Sequence, residues 1–143
     1  MKKGFTLIEL LVVIVIIGIL ATLATVALSS ARMKARDARR VSDVRQIQTA
    51  LELYFSDAQA YPSTITTGSA ISTSSNTYMA KVPGNPSPYT EGVAACTNNS
   101  ASYLYTAAPN LTSYTITYCL GGTTGSISGG MLQYATPAGI TLY

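Results

Sequence analysis

The side chains that could carry chemistry are few and unevenly placed. Six acidic residues, Glu9, Asp37, Asp43, Glu52, Asp57 and Glu91, are spread along 143 positions, and there is no histidine. General acid–base catalysis needs paired titratable groups held within hydrogen-bond reach, and the spacing of Glu52, Asp57 and Glu91 does not suggest such a pair. The sequence is therefore read as non-enzymatic. Cys96 and Cys119 are its two cysteines. As a nucleophile Cys119 lacks a basic partner of the usual type. A zinc site of four protein ligands cannot be assembled from two cysteines without histidine, so neither a metal nor another cofactor is expected. A disulfide needs only the two cysteines and an oxidising compartment, and closing a loop of that span contributes about 3 kcal/mol.

Glu9 is the chemically conspicuous residue. It is the single charged side chain in residues 5–28, FTLIELLVVIVIIGILATLATVAL. As a helix rising about 1.5 Å per residue, that stretch spans the roughly 30 Å hydrocarbon core of a bilayer. A carboxylate inside it is costly without a partner. A helix N-terminus favours an anion, but too weakly to be the whole explanation. A secretory signal peptide, with basic start, apolar middle and small-residue cleavage near Ser29 to Ala31, is the ordinary alternative, and it leaves Glu9 unexplained.

The helix does not end with the apolar run. Val41, Val44, Ile47, Leu51, Tyr54 and Phe55 recur at three- and four-residue spacings among polar residues, which predicts an amphipathic continuation with one packing face. Pro62 disfavours helical geometry before it, so a long helix is expected over 5–57, its apolar part over 5–28. Residues 62–77 and 82–88, rich in Ser, Thr and Pro, read as loops. Strands are expected at 102–107, 114–120 and 131–136, where β-branched and aromatic residues dominate. In the second, Tyr114, Ile116, Tyr118 and Leu120 alternate onto one face, which should meet the helix. The fold class is therefore α+β, a long N-terminal helix packed on a small antiparallel meander.

Charge follows the same division. Eight of nine basic residues precede position 46, whereas nine of ten tyrosines lie from Tyr61 onward. The net charge of +3 thus sits beside the apolar segment. The basic stretch Arg32–Arg45 suits anionic lipid head groups, or subunit packing with Asp37 and Asp43 pairing between neighbouring helices; DNA is a weaker candidate partner. Asn98-Asn99-Ser100 and Asn110-Leu111-Thr112 fit the glycosylation acceptor pattern, against the simpler reading of a hydroxyl-rich solvated surface.

Lys2-Lys3-Gly4-Phe5-Thr6-Leu7-Ile8-Glu9 closely resembles the type III signal of type IV prepilins and pseudopilins. The resemblance is faint over 51–64 and 78–86. It implies a pilin-like fold with a leader of residues 1–4, the long helix 5–57, and an exported domain 58–143. It further implies that a prepilin peptidase cuts between Gly4 and Phe5, that Phe5 is N-methylated, and that Glu9 compensates the terminal amine of a neighbouring subunit during assembly. The partners implied are further copies of the chain in a helical filament, the peptidase, the pilus assembly machinery and the cytoplasmic membrane before export to a surface filament. Two departures from the family pattern stand out. No proline precedes Pro62, which leaves Gly18 as the weak point of the apolar helix, since glycine costs about 1 kcal/mol relative to alanine. No acidic residue follows Glu91, whereas major secretion pseudopilins bind calcium there; with the cysteine pair, this favours a pilus subunit. A membrane-anchored binding protein that never polymerises is the other class, and Glu9 argues against it.

Overall fold

The computed structural model describes residues 4–97 and 100–142, and the chain divides into two compact units, residues 1–32 and 33–143. Helix α1 (Leu7–Ala58) contributes to both.

In the first unit the large apolar side chains have no cover among the described residues. Their exposure runs from 45% at Val13 to 82% at Leu7. By length and composition this helix can cross a membrane. Two hydroxyl side chains within its apolar run bond back onto the helix, Thr22 Oγ1 donating to the Ile19 carbonyl at 2.7 Å and Thr25 Oγ1 to the Thr22 carbonyl at 2.8 Å. Neither therefore presents a free polar group to hydrocarbon. The helix is continuous through Gly18.

In the second unit the remainder of α1 shows the predicted packing face. Val44, Ile47 and Leu51 are fully buried, with Val41 and Ala50 nearly so. Burial of such a side chain contributes about 1.5–3 kcal/mol. The helix ends when Gln59 takes a left-handed φ of 55° and donates its N–H to the Phe55 carbonyl at 2.8 Å, a turn more often made by glycine.

Two short strands follow, β1 (Ile71–Ser72) and β2 (Thr77–Met79), forming an antiparallel hairpin. The expectation of loop over 62–77 is corrected here. Ile71 is the one buried residue of the pair, at 3% exposure, with Tyr78 and Met79 half-buried against the core, so no alternation marked the strands. The main sheet contains β3 (Leu104–Ala107), β4 (Tyr114–Leu120), β5 (Met131–Thr136) and β6 (Gly139–Leu142), in chain order with antiparallel neighbours. The three predicted strands are present, and β6 adds a fourth to the meander. Tyr114, Ile116, Tyr118 and Leu120 are all buried, sharing one core cluster with the α1 residues and with Tyr61, Ile71 and Val82.

The glycine-rich connection between β4 and β5 is required by close approach. A Cβ on Gly129 would lie 1.9 Å from the Gly122 carbonyl carbon, and one on Gly121 would lie 2.7 Å from Glu91 Cβ. Folding this loop onto itself brings the Gly121 and Gly122 amides against α1, where they meet an acidic side chain described below.

Candidate functional site

Thr6 and Glu9 form a reciprocal cap on the first turn of α1. The Thr6 N–H and hydroxyl donate to Glu9 Oε2 at 2.8 and 2.6 Å, and the Glu9 N–H donates to Thr6 Oγ1 at 3.3 Å. This is a capping box, and Thr-Leu-Ile-Glu is its sequence signature, a signal the reading of Glu9 by burial cost passed over. Both bonds from Thr6 fall on Oε2, and no described residue donates to Oε1. The carboxylate is oriented by its own helix and keeps one oxygen open at an exposed position. Gly4 and Phe5 lie just before the helix, Phe5 80% exposed. A Cβ added at Gly18 would meet nothing within 4 Å beyond its own turn of helix among the described residues.

The basic stretch behaves differently from its sequence reading. Arg40 has no solvent exposure, and its five N–H donors are all used. Nε donates to Asn85 Oδ1 at 2.8 Å; one terminal nitrogen donates to Asp37 Oδ1 and Glu91 Oε1, both at 2.8 Å. The other donates to the Pro86 and Pro88 carbonyls, both at 2.6 Å. Arg36 clasps Glu91 from the rim through two bonds of 2.6 and 2.7 Å. Asp37, also fully buried, accepts the Gly121 and Gly122 amides at 3.3 and 2.8 Å. Burial pushes the Glu91 carboxyl up, but hydrogen bonds from Arg36 and Arg40 and their charges outweigh it and hold the group below its usual range.

This cluster corrects the expectation that Asp37 and Asp43 pair between neighbouring helices. Asp37 pairs with Arg40 one turn on, and Asp43 with Arg39 at 3.7 Å and with the Tyr103 hydroxyl at 3.0 Å. With Arg36 and Arg40 drawn inward, Arg32, Lys34, Arg39 and Arg45 are the exposed cations of the stretch. The signal was present in the sequence: positions 37 and 40 fall in phase with Val41, Val44, Ile47 and Leu51 on the packing face.

Tyrosines from the residues after α1 complete the acids further along the helix. Tyr61 and Tyr114 hydroxyls donate to Glu52 at 3.0 and 3.4 Å, and the Tyr78 hydroxyl donates to Asp57 at 2.5 Å. Burial, then the Glu52 hydrogen bond and charge, push the Tyr61 phenol up to about 12. Burial and the Asp43 charge raise Tyr103 further still. A nearly uncharged, Tyr-rich domain is in this way matched to an acid-bearing helix. Cys96 and Cys119 are joined, with Cα atoms 6.0 Å apart and both residues fully buried. The bond ties a 3-10 turn (Ala94–Cys96) to β4. Asn98 and Asn99 of the first glycosylation triplet lie outside the described residues, whereas Asn110 sits in an exposed turn where its Oδ1 accepts the Thr112 N–H at 3.3 Å.

Residues 1–25 match the family model described as the prokaryotic N-terminal methylation motif. The chain carries the N-terminal signal of type IV pilins and prepilins, on an α+β architecture of one long helix and small antiparallel sheets. That signal marks a processed, membrane-anchored structural class of protein rather than an enzyme class. No curated protein and no solved structure matches the chain.

Proposed function

We propose that this chain is the structural subunit of a type IV pilus filament, cut between Gly4 and Phe5, methylated on Phe5 and assembled through the first half of α1. The observation that carries the reading is the uncovered apolar helix: the apolar side chains of residues 7–28 are exposed, with no cover among the described residues, and such a surface requires lipid before assembly and neighbouring helices after it. Glu9 supplies register. Thr6 fixes its Oε2, leaving Oε1 for the new amine of a neighbouring Phe5, a pairing worthwhile only where water is excluded. Gly18, with no side chain, is the point where the apolar helix loosens most easily in the filament.

A pilus subunit is favoured over a secretion pseudopilin by the Cys96–Cys119 bond and by acidic chemistry. Glu91, the last acidic residue of the chain, is held by two guanidinium groups and is not free to ligate calcium.

Shearing surface material, imaging it and sequencing the subunit by mass spectrometry tests the proposal. Filaments containing this chain with N-methylated Phe5 at the terminus are expected. A different first residue contradicts the cleavage assignment. Glu9→Ala should leave processing and membrane insertion intact while lowering filament yield, and normal yield from that variant removes the assembly role.

A further inference from the structure

The main sheet carries its residues in straight rows. Tyr105, Ile116, Ala135 and Ile140 pair in turn across β3, β4, β5 and β6, and Leu104, Thr117, Tyr134 and Thr141 form the next row. In the first row the two inner residues are fully buried, whereas the end residues Tyr105 and Ile140 pack on the core cluster only in part. In the second row both ends are exposed, Leu104 at 54%. An apolar row thus runs out to both margins of the sheet and stops there half covered.

Both margins are open to pairing. Among the described residues β3 pairs only with β4 and β6 only with β5, and no loop backbone bonds to either strand. Exposed edges are ordinarily blunted by charge, proline or a bulge. Leu104–Ala107 and Gly139–Leu142 contain no charged residue and no proline, and their pairing runs without a register shift. Their protection is brevity, four residues each, which makes a contact there weak and reversible.

The two margins also fit each other. Neighbouring strands run in opposite directions, so in a meander of four β3 and β6 are antiparallel. A second copy in the same orientation, set beside β6, therefore offers its β3 as an antiparallel neighbour and continues the ladder. Straight rows then place Ile140 against Tyr105 of the next copy, a β-branched residue against an aromatic one, and Thr141 against its Leu104. Room exists on the core side, where β6 borders a cleft of about 480 Å³ lined in part by Gln48, Gly139 and Ile140. Copies so placed repeat every four strands, about 19 Å, which exceeds the ~10–12 Å diameter of a helix and leaves each α1 space on its own sheet.

We propose that copies of this chain join through the second unit edge to edge, β6 of one against β3 of the next, in an open-ended row. The joint is heterologous and does not close on itself. It uses no residue of the N-terminal signal and stands whether or not the chain polymerises. In the proposed filament, where α1 sets the spacing of copies, it is a contact between neighbouring filaments.

The full chain in detergent, with the disulfide intact, is followed by sedimentation velocity over a concentration series. Two variants change the exposed, facing positions: Leu104→Lys with Thr141→Lys, and Leu104→Lys with Thr141→Glu. Every sample has the same α1, so association through that helix is common to all. Wild type should form concentration-dependent oligomers. The like-charge variant should lose them and the opposite-charge variant regain them, with a dissociation constant about 2- to 30-fold below that of the like-charge variant. Both variants carry Leu104→Lys, so a difference between them is not a loss of folding. The proposal is overturned if the like-charge variant sediments as wild type does, or if wild type shows no association. Equal loss in both variants, the result expected of β3 pairing with β3, overturns it as well.

Discussion

Replacing Arg40 by methionine removes a cation that the structure surrounds completely. Two carboxylates, Asp37 with no exposure and Glu91 with 3%, would be left facing Arg36 alone, which is itself 26% exposed. Asn85 Oδ1 and the Pro86 and Pro88 carbonyls would lose their donor at the same time. Breaking a buried ion pair by removing one partner costs about 3–5 kcal/mol, because the remaining charge stays desolvated. Against a total stability of about 5–15 kcal/mol, that loss leaves a marginal domain. At about 4 °C per kcal/mol for a unit of this size, the melting temperature should fall by about 12–20 °C. Far-UV dichroism is a poor reporter, since the signal of the apolar half of α1 does not depend on packing of the second unit. Near-UV dichroism of the tyrosines reads the second unit, with the disulfide kept oxidised. Arg40→Lys retains the charge but cannot reach all five acceptors, so its loss should fall between wild type and Arg40→Met. Combining Arg40→Met with Asp37→Asn and Glu91→Gln should recover part of the loss, since the stranded charges go with the cation. A cost below about 1 kcal/mol for Arg40→Met would refute the assignment of this cluster as a structural hub.

Three further outcomes follow from the same geometry. Glu91 is held below its ordinary pKa of 4.5 in the fold, so its contribution is complete above that value and lost as pH falls through the folded pKa. The urea midpoint should hold from about pH 7 to 5 and then drop; an equal acid drop in Glu91→Gln removes Glu91 as its source. Reducing the Cys96–Cys119 bond, which closes a separation of 23 residues, should cost about 3 kcal/mol in the same near-UV melt. Gly129→Ala places a Cβ 1.9 Å from backbone that cannot rotate away, and a loss of about 2 kcal/mol or more is expected. Wild-type melting of that variant would mean that the loop is not packed as described.

The core of the fold was legible because its signals were redundant. Strand β4 announced both its span and its buried face through strict alternation from Tyr114 to Leu120, and the α1 packing face repeated at helical spacing over several turns. The hairpin β1–β2 rests on one buried isoleucine, and β6 is four residues at an edge, so neither offered a period to read. Arg40 was obscured for a different reason. A cluster of arginines reads as a solvated or lipid-facing surface because buried arginine is rare, and its partner Glu91 lies 51 residues away. Only the phase of positions 37 and 40 with the apolar face argued otherwise. Glu9 was identified by its cost, whereas its cap with Thr6 was open to view in four consecutive residues.

The distribution of satisfied charge bears on what can hold copies of this chain together. Within the second unit each acidic side chain already has a partner: Asp37 and Glu91 in the Arg40 cluster, Asp43 with Tyr103, Glu52 with Tyr61, and Asp57 with Tyr78. Lys34, Arg45 and Lys81 are exposed and carry no ion pair among the described residues. Salt bridges between outer domains of identical copies would therefore have to take acids from internal bonds, and exposed pairs contribute only about 0–1 kcal/mol. Charge complementarity is thus a weak source of register for the outer domain, while net repulsion between its free cations favours spacing. In the proposed filament, register then falls to the apolar half of α1, where Glu9 Oε1 accepts no hydrogen bond from any described residue. A filament held in this way should tolerate substitution of Lys34 or Lys81 and remain sensitive to Glu9. Loss of filaments in Lys34→Ala or Lys81→Ala with Glu9 intact would place the register in the outer domain instead.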